Sequence, residues 1–317
     1  MYHRCMLQAI DKSLREAGLS YKVVPAEFVV ELRHRIDELL GWGSLSGSLY
    51  KAYASSLEWD GPAKLPVARS VIVIAGPAPT YAAIFHAWQR RVRAIIPPTY
   101  VSSSFRALCR RLLGDVLVPA GFAVERPRLP VKLLAVRAGL GEYGRNDLCY
   151  VPGMGSFARL ESFVTDADLV CGARGRSTVA VEGGRRAAQI RMSRCAECDK
   201  CVVACPTRCI PSDGSLVDAE RCLTYFNENE GAWGDRLAPD AHNSLVGCMR
   251  CQQICPVNRP YLREPEIIAE FDEAETAIIL AGPSPEVLPK SLREKLADFD
   301  LDGYSGVLGR NLRALMG

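Results

Sequence analysis

The sequence has 317 residues, 48% of them hydrophobic, which is enough for one large domain or two ordinary ones. Its 39 Lys and Arg nearly balance 36 Asp and Glu, and the net charge of +3 gives no sign of a nucleic-acid-wrapping surface. No stretch reaches the roughly 18 uninterrupted apolar residues of a transmembrane helix, and the N-terminus lacks the apolar run of a signal peptide. We therefore expect a cytoplasmic protein, whose thirteen cysteines serve metal binding or catalysis rather than disulfides.

Helical spacing of apolar residues predicts helices in the N-terminal part of the chain, around residues 2–17, 26–40, Tyr81–Ile95 and Ser102–Leu113. The Gly/Ser-rich stretch GWGSLSGS predicts a connection after the second helix, and two prolines, PP, separate the third from the fourth. Two basic clusters fit the solvated faces of the last two helices, with docking of an acidic electron donor or a carboxamide-rich cofactor as the alternative. These clusters are Arg90, Arg91, Arg93, Arg106, Arg110 and Arg111.

Short β-branched runs predict the strands. SVIVIAGP (Ser70–Pro77) has the pattern of a central strand in a covered sheet, and GFAVERP and FARLESFVTD predict further strands. Residues 176–192 alternate around two glycines, which predicts a hairpin leading into the cysteine-rich segment. The tail after Tyr261 is amphipathic and is predicted to be helical, with a break at GPSP (Gly282–Pro285).

The first cysteine motif is a bacterial ferredoxin run, Cys195-x-x-Cys198-x-x-Cys201-x-x-x-Cys205-Pro206. In such a run three thiolates bind one 4Fe–4S cluster, and the fourth binds the neighbouring cluster. Thiolates are soft ligands that suit iron–sulfur clusters, and the proline ends the loop. The spacing therefore predicts two clusters rather than one.

The second cysteine motif, GCMRCQQICPVN, is one cysteine short of the same pattern, because it supplies only Cys248, Cys251 and Cys255. If Cys255 crosses to the first cluster, that cluster has the ligands Cys195, Cys198, Cys201 and Cys255. The second cluster then holds Cys205, Cys248 and Cys251, and it needs one more thiolate.

Two cysteines between the motifs are candidates for this ligand. Cys209 lies four residues past Cys205, where it faces its own core more easily than the cluster, so we favour Cys222, which opens CLTYFNEN. A pair of structural zinc sites is the alternative, although zinc motifs rarely carry the x-x-x-C-P ending. The other cysteines are expected to be ordinary buried thiols. They are Cys5, Cys109, Cys149, Cys171 and Cys209.

Two further motifs match known sites incompletely. GLGEYG (Gly139–Gly144) has the dinucleotide-binding spacing, but it follows a predicted helix, LPVKLLAVRA, and precedes a predicted loop, RNDLCYVPGMGS. Its glycines are therefore expected to build a turn that closely approaches a ligand or another backbone segment. DAHNSLVG (Asp240–Gly247) resembles a cobalt-binding D-x-H-x-x-G motif with leucine in place of a glycine, so His242 is expected to be a solvated loop histidine.

Both cysteine motifs, together with RCLTYF between them and KLLAVRAGLGEYGRNDLCY upstream, resemble the epoxyqueuosine reductase and reductive dehalogenase superfamily from about Ser70 to Pro260. The resemblance implies the α+β class, with a nitroreductase-like mixed sheet and flanking helices, a two-cluster ferredoxin-like module and a short helical tail. It implies a corrinoid- and substrate-binding domain over residues 1–185, the cluster module over 186–262 and the tail over 263–317.

The resemblance also implies a function. In this superfamily the clusters pass single electrons to base-off cobalamin, and we expect a ferredoxin or flavodoxin as the donor. Glu125 stands where the reductases have a catalytic aspartate, with an ordinary surface glutamate as the alternative, and Tyr143 and Tyr150 are rival proton donors. The helical segment that reductases use for transfer RNA is expected to be short or missing here. Transfer RNA is therefore a doubtful partner, and a small molecule or a corrinoid protein is the expected substrate.

The resemblance further implies contacts to the corrin ring, which needs backbone, small residues and hydrogen-bond donors around its rim. The expected rim contacts are Arg145, Asn146, Gly155, Ser156 and Phe157, with loop packing as the alternative. Thr224 and Tyr225, after Cys222, are expected between cluster and ring. Two other functions stay open. They are an electron-transfer protein that reduces a partner's corrinoid, and a flavin-dependent reductase.

Overall fold

The computed structural model describes residues 2–54, 56–60, 65, 67–170, 191–231, 233, 237–284 and 286–317. Cys171 and the hairpin predicted over 176–192 lie outside the described residues, apart from the last two residues of that hairpin. The chain divides into two compact units. The first comprises Met1–Pro77, Ser104–Ala196 and Gly214–Leu216, and the second comprises Ala78–Ser103, Glu197–Asp213 and Val217–Gly317.

The helices and strands are numbered in chain order. The helices are α1 (Tyr2–Glu16), α2 (Phe28–Gly41), α3 (Gly47–Ala54), α4 (Ser103–Leu117), α5 (Val131–Arg137), α6 (Lys200–Ala204), α7 (Leu223–Glu228), α8 (Arg250–Gln253), α9 (Glu273–Ala281), α10 (Lys290–Ala297) and α11 (Ser305–Met316). The strands are β1 (Ser20–Pro25), β2 (Ser70–Pro77), β3 (Tyr81–Ala87), β4 (Arg90–Ile96), β5 (Val124–Glu125), β6 (Glu142–Tyr143), β7 (Cys149–Tyr150), β8 (Ala158–Thr165) and β9 (Glu266–Phe271). None of the helices in these ranges is long and apolar enough to cross a bilayer.

The first unit is built around an antiparallel sheet whose described strands follow the order β1-β2-β8-β5. Alternate residues of β2 face opposite sides, as strand geometry requires. Val71 and Val73 pack with residues of α2 and α5, while Ile72 and Ile74 pack with residues of α1 and α4. All four are fully buried, so the predicted central strand in a covered sheet is confirmed.

The second unit contains a mixed sheet of described strands in the order β4-β3-β9, with β3 and β4 antiparallel and β3 and β9 parallel. The helix predicted over Tyr81–Ile95 is therefore wrong. Tyr81 and Phe85, four residues apart on β3, both face the core, as alternation on a strand requires, and Phe85 stacks on Phe271 of β9 with ring centroids 4.8 Å apart. Trp88 and Gln89 make the tight turn, with φ of 49° and 59°.

The basic residues predicted on that helix lie on strand β4 instead. Arg90, Arg91 and Arg93 are exposed there, so their predicted solvation is correct although their secondary structure is not. Arg93 forms an ion pair with Glu264 at 3.0 Å. Such exposed pairs contribute little to stability.

The tail also differs from its prediction, because β9 precedes its helices. Helix α9 begins at a capping box, in which the Asp272 carboxylate accepts from the backbone N–H of Glu275 at 2.8 Å. It ends at Gly282, whose φ of 68° suits glycine, so the predicted break is confirmed. Residues from β9, α9, α10 and α11 share one core with β3. The compact units therefore divide the chain differently from the predicted segments 1–185, 186–262 and 263–317, since residues 78–103 lie in the second unit.

Several smaller elements refine the sequence prediction in the first unit. FARLESFVTD forms β8 and LPVKLLAVRA forms α5, as predicted, whereas GFAVERP contributes only the two-residue β5. The strand β7 lies within the predicted loop RNDLCYVPGMGS, and α3 begins inside the predicted Gly/Ser connection. β1 was not predicted, although it pairs with β2 along its whole length.

Candidate functional site

The two cysteine motifs share one local design. In each, a cysteine sits on a short helix, Cys201 on α6 and Cys251 on α8, and a Cys-Pro pair ends or follows that helix. Cys205 and Cys255 have ψ of 115° and 122°, because a residue before proline is forced out of the helical region. The proline thus keeps the backbone of the last cysteine of each motif outside the helix.

Cysteines of both motifs meet in the second unit. Cys205 and Cys209 form a small buried core with Ile210, and Cys201, Cys222 and Cys251 pack against it. Three of the four ligands predicted for the second cluster are therefore brought together, beside one ligand predicted for the first cluster. Cys209 is buried, as predicted, but its Sγ also lies 3.4 Å from the Sγ of Cys205, a contact that the sequence did not predict.

Contacts between these thiols shift their pKa values. The hydrogen bond with Cys209 lowers the pKa of the Cys205 thiol to about 5 and that of Cys222 to about 6. The same two contacts raise the pKa of Cys209. Burial raises the pKa of Cys248. The contacts with Cys209 therefore favour the thiolate forms of Cys205 and Cys222.

Cys195 lies in the first unit, at the end of a short 3-10 turn. One Nη of Arg145, a predicted corrin-rim residue, donates to the carbonyl oxygens of Cys195 at 2.6 Å and of Ala196 at 3.2 Å. Arg191 forms an ion pair with Asp147 at 3.0 Å, which ties the same loop to the start of the motif. Arg145 therefore positions the main chain of the first ligand, and its rim contact stays a prediction.

The other predicted rim residues are built into the first unit. Asn146 is buried and donates to the Tyr150 hydroxyl at 3.2 Å, while Gly155 accepts from the backbone N–H of Val151 at 2.9 Å. Ser156 and Phe157 are also buried. In the second unit, Thr224 and Tyr225 lie on α7 directly after Cys222, and a hydrogen bond from Thr224 helps to lower the pKa of that cysteine. Their role beside a corrin stays a prediction.

The GLGEYG segment behaves as a close-approach turn. A Cβ at Gly141 would lie 2.6 Å from the carbonyl oxygen of Tyr150, and one at Gly144 would lie 2.6 Å from Oδ1 of Asn146. The segment follows α5 and leads into the strands β6 and β7, so it lacks the strand–turn–helix context of a dinucleotide site. The predicted turn is confirmed.

The candidate proton donors lie in the first unit. Glu125 on β5 is partly buried and forms an ion pair with Arg110 at 3.4 Å, rather than lying exposed beside Arg126. Tyr143 on β6 is buried in the core, and burial raises its pKa well above the usual range, so its phenol keeps its proton. Tyr150, on β7, accepts from Asn146.

The sequence analysis missed a buried carboxylate in the first unit. The side chain of Glu161 on β8 is 5% exposed and binds Arg106 at 3.1 Å and Arg126 at 2.7 Å. Its sequence signal was a charged residue inside the strand FARLESFVTD, where a buried charge requires partners.

His242 is not the solvated residue that was expected. Its ring lies against Trp233 with centroids 3.9 Å apart, and both ring nitrogens are buried without a hydrogen-bond partner in the described part of the chain. Burial lowers its pKa to about 4, with a smaller contribution from Arg310, so the imidazole is neutral at pH 7. No group of three or more His, Cys, Asp or Glu side chains among the described residues is arranged to hold a single metal ion.

Comparison with known proteins agrees with this geometry. Residues 194–258 match the family described as a 4Fe-4S double cluster binding domain. The chain is 29% identical over 136 residues to the epoxyqueuosine reductase of Bacillus subtilis (strain 168), which covers 43% of this chain and 31% of the relative. It is 33% identical over 152 residues to the epoxyqueuosine reductase of Burkholderia pseudomallei (strain K96243), covering 48% and 34%. The matched segments thus span about a third of the curated relatives' length.

Solved structures extend the similarity to the whole described chain. An epoxyqueuosine reductase with an epoxyqueuosine-modified tRNA stem loop matches with a TM-score of 0.68 and 19% identity, covering 99% of this chain and 81% of that one. The enzyme from Streptococcus thermophilus matches with a TM-score of 0.64 and 19% identity, covering 97% and 80%. The chain has the epoxyqueuosine reductase fold. The predicted α+β class, the resemblance to epoxyqueuosine reductases and the double-cluster module are confirmed.

Proposed function

We propose that this protein is a cytoplasmic iron–sulfur oxidoreductase that passes single electrons through two 4Fe–4S clusters to base-off cobalamin for a reductive reaction. The observation that carries the proposal is the packing of cysteines from both motifs and of Cys222 around one buried core, within a double-cluster segment of a chain that has a reductase fold. These cysteines are Cys201, Cys205, Cys222 and Cys251. A ferredoxin or flavodoxin is the proposed electron donor.

The cysteines fit the clusters by their chemistry. Thiolates are the ligands that iron–sulfur clusters require, and the Cys-Pro ends of both motifs match the ferredoxin pattern. The proposed first set is Cys195, Cys198, Cys201 and Cys255. The proposed second set is Cys205, Cys222, Cys248 and Cys251. Cys222 is preferred to Cys209 because the resemblance places a cysteine at the start of CLTYF.

Cobalamin is proposed from the fold similarity, and when bound it supplies a cobalt centre that accepts single electrons. The backbone and side chains of Gly155, Ser156 and Phe157 in the first unit would hold it. The expected place of Thr224 and Tyr225, beside the cluster ligand Cys222, stays a prediction. We expect Arg145 and Asn146 to contribute less to cobalamin binding, because their side chains already donate hydrogen bonds to protein atoms.

Glu125 and Tyr143 are the proposed proton donors, and they act differently. Glu125 is 27% exposed, so it can take up a proton from solvent after donating one, and Arg110 orients its carboxyl group. Tyr143 is buried and holds its proton tightly. Substituting each with its closest isostere, Glu125→Gln and Tyr143→Phe, should lower turnover only for the residue that donates.

Anaerobic reconstitution tests the proposal. Wild-type protein should contain about eight irons per chain, and added hydroxocobalamin should give a base-off spectrum. Cys109→Ala is the matched control, because Cys109 is a buried thiol in the core of the first unit and no predicted ligand. Iron without cobalamin binding would instead support an electron-transfer protein for a partner's corrinoid, and bound flavin would support a flavin-dependent reductase.

The substrate needs its own assay. We propose a small molecule or a corrinoid protein, since a net charge of +3 offers little general attraction to RNA. A protein of this fold was nevertheless solved with a modified tRNA stem loop. The reduced protein should therefore be offered an epoxyqueuosine-modified stem loop, the free nucleoside and an unmodified stem loop in parallel. Turnover of the modified stem loop alone would contradict the small-molecule proposal.

A further inference from the structure

Two side chains outside the predicted ligand sets donate hydrogen bonds to sulfur atoms of the second set. Asn243 donates from Nδ2 to the Sγ of Cys248 at 3.3 Å. The Sγ of Cys209 lies 3.4 Å from the Sγ of Cys205, and since a cluster-bound thiolate at Cys205 has no proton, Cys209 is the donor in that state. Both lie in the second unit, between the two cysteine motifs. Neither is needed to complete a set of four thiolates.

The orientation of the Asn243 amide is fixed by its other partners. Its Oδ1 accepts from the backbone N–H of Met249 at 2.7 Å, so Nδ2 must point the opposite way. Nδ2 also donates to the carbonyl oxygen of Ala241 at 3.0 Å. A side chain held at three points keeps its N–H directed at the Cys248 sulfur with little loss of entropy.

Cys209 is held in place by burial rather than by hydrogen bonds. It is 3% exposed and packs with Ile210 against Cys205, Cys222 and Cys251. Thr207 Oγ1 lies 3.5 Å from the same Cys205 sulfur, so this sulfur has two polar neighbours. A thiol is a weaker donor than an amide, and we expect a smaller effect from Cys209 than from Asn243.

Hydrogen bonds to cluster sulfurs change how easily the cluster is reduced. Reduction adds negative charge that spreads onto the thiolates, and a donor stabilises the more negative state. We propose that Asn243, through Cys248, and Cys209, through Cys205, raise the midpoint potential of the second cluster. The higher potential favours the reduced form of this cluster. The inference rests on the iron–sulfur part of the proposed function.

The test is an anaerobic redox titration followed by electron paramagnetic resonance on reconstituted full-length protein. Asn243→Asp keeps the acceptor for Met249 and the size of the side chain, but replaces the donor with a charged oxygen. It should lower the equilibrium constant for reducing the second cluster at least tenfold. For one electron this corresponds to a decrease of about 59 mV in the midpoint potential. Gln253→Glu, which adds the same charge at an exposed position two residues from Cys251 and Cys255, should shift the potential less.

Cys209→Ala supplies a second, uncharged perturbation. It should keep the full iron content and lower the potential of the same cluster by less than Asn243→Asp, and Cys209→Ser should restore part of the shift. Pulsed electron paramagnetic resonance in deuterium oxide should detect exchangeable deuterons coupled to the reduced cluster of the wild type. Each variant should show fewer of these deuterons. Loss of four irons in Cys209→Ala, or unchanged potentials in both variants with iron retained, would overturn the inference. If wild type holds eight irons without binding cobalamin, only the proposed function fails.

Discussion

Replacing Gly247 with alanine forces a side chain into space that the ring of Tyr100 occupies. Gly247 directly precedes the predicted ligand Cys248 and has a φ of 63°. A Cβ on this backbone would lie 2.7 Å from Cε2 of Tyr100, closer than packed carbon atoms approach. Tyr100 cannot simply rotate away, because its hydroxyl donates to Glu228 and its ring contacts Tyr304 edge-on at 5.6 Å.

The free-energy cost of Gly247→Ala has two parts, one from the backbone conformation and one from the contact with Tyr100. The left-handed backbone costs an alanine about 1–2 kcal/mol. Displacing Tyr100 breaks its partly buried hydrogen bond to Glu228, which costs about 1–3 kcal/mol more. Gly247→Ala should therefore lower the free energy of unfolding by about 2–5 kcal/mol. Gly282 has a φ of 68° and nothing within 4 Å of its Cβ position, so Gly282→Ala should show only the backbone part.

Denaturant unfolding under anaerobic conditions checks the prediction, with iron content measured beside it. The difference between Gly247→Ala and Gly282→Ala should fall to near zero when both are made in a Tyr100→Ala background, because that change empties the contested space. Equal losses for the two glycine variants in the wild-type background would refute the packing argument. Because Gly247 adjoins Cys248, we also expect weaker cluster retention only in Gly247→Ala.

Three further outcomes follow from the structure. Cys222→Ala should reduce the iron content from about eight to about four per chain, as measured by colorimetric iron assay, and unchanged iron would exclude it as a ligand. Since the pKa of His242 is about 4 in the folded protein and 6.5 is its ordinary value, the stability that its neutral ring contributes should be complete above pH 6.5 and should fall by up to about 3 kcal/mol by pH 4. His242→Gln should flatten this pH dependence, and His34→Gln, at an exposed position, should not. A Cβ at Gly309 would lie 2.9 Å from the carbonyl oxygen of Leu280, so Gly309→Ala should lower the melting temperature by several degrees, whereas Gly303→Ala, with open space, should leave it nearly unchanged.

The cysteine motifs could be recognised from the sequence because their signal is local. The Cys-Pro ends act within a few residues, and the structure shows the extended backbone that they predict at Cys205 and Cys255. The assignment of each cysteine to a cluster stays a prediction. The donors to those ligands could not be predicted. Asn243 reaches Cys248 through a loop whose shape depends on Met249, and Cys209 reaches Cys205 because of how the small core packs.

The second sheet shows why part of the fold was mispredicted. YAAIFHA has apolar residues at both helical and strand spacing, and Trp88-Gln89 lacks the glycine or asparagine that signals a tight turn. EIIAEF in the tail becomes β9 because it pairs in parallel with β3, a partner about 180 residues earlier in the chain. By contrast, SVIVIAGP was identifiable because its β-branched residues favour a strand before any partner is known.

The second unit is assembled from three separate stretches of the chain, and this bears on how its iron–sulfur segment can be inherited. Leu245 and Val246, just before Cys248, share one core with Phe85 of the hairpin and with Leu308 of α11, and the N–H of Leu245 donates to the carbonyl of Ile95 at 2.6 Å. A gene segment encoding residues 194–258 alone would lose these partners. The cysteine region therefore does not have a core of its own. Recombination that transferred it between proteins would also have to transfer the β3–β4 hairpin and the C-terminal tail.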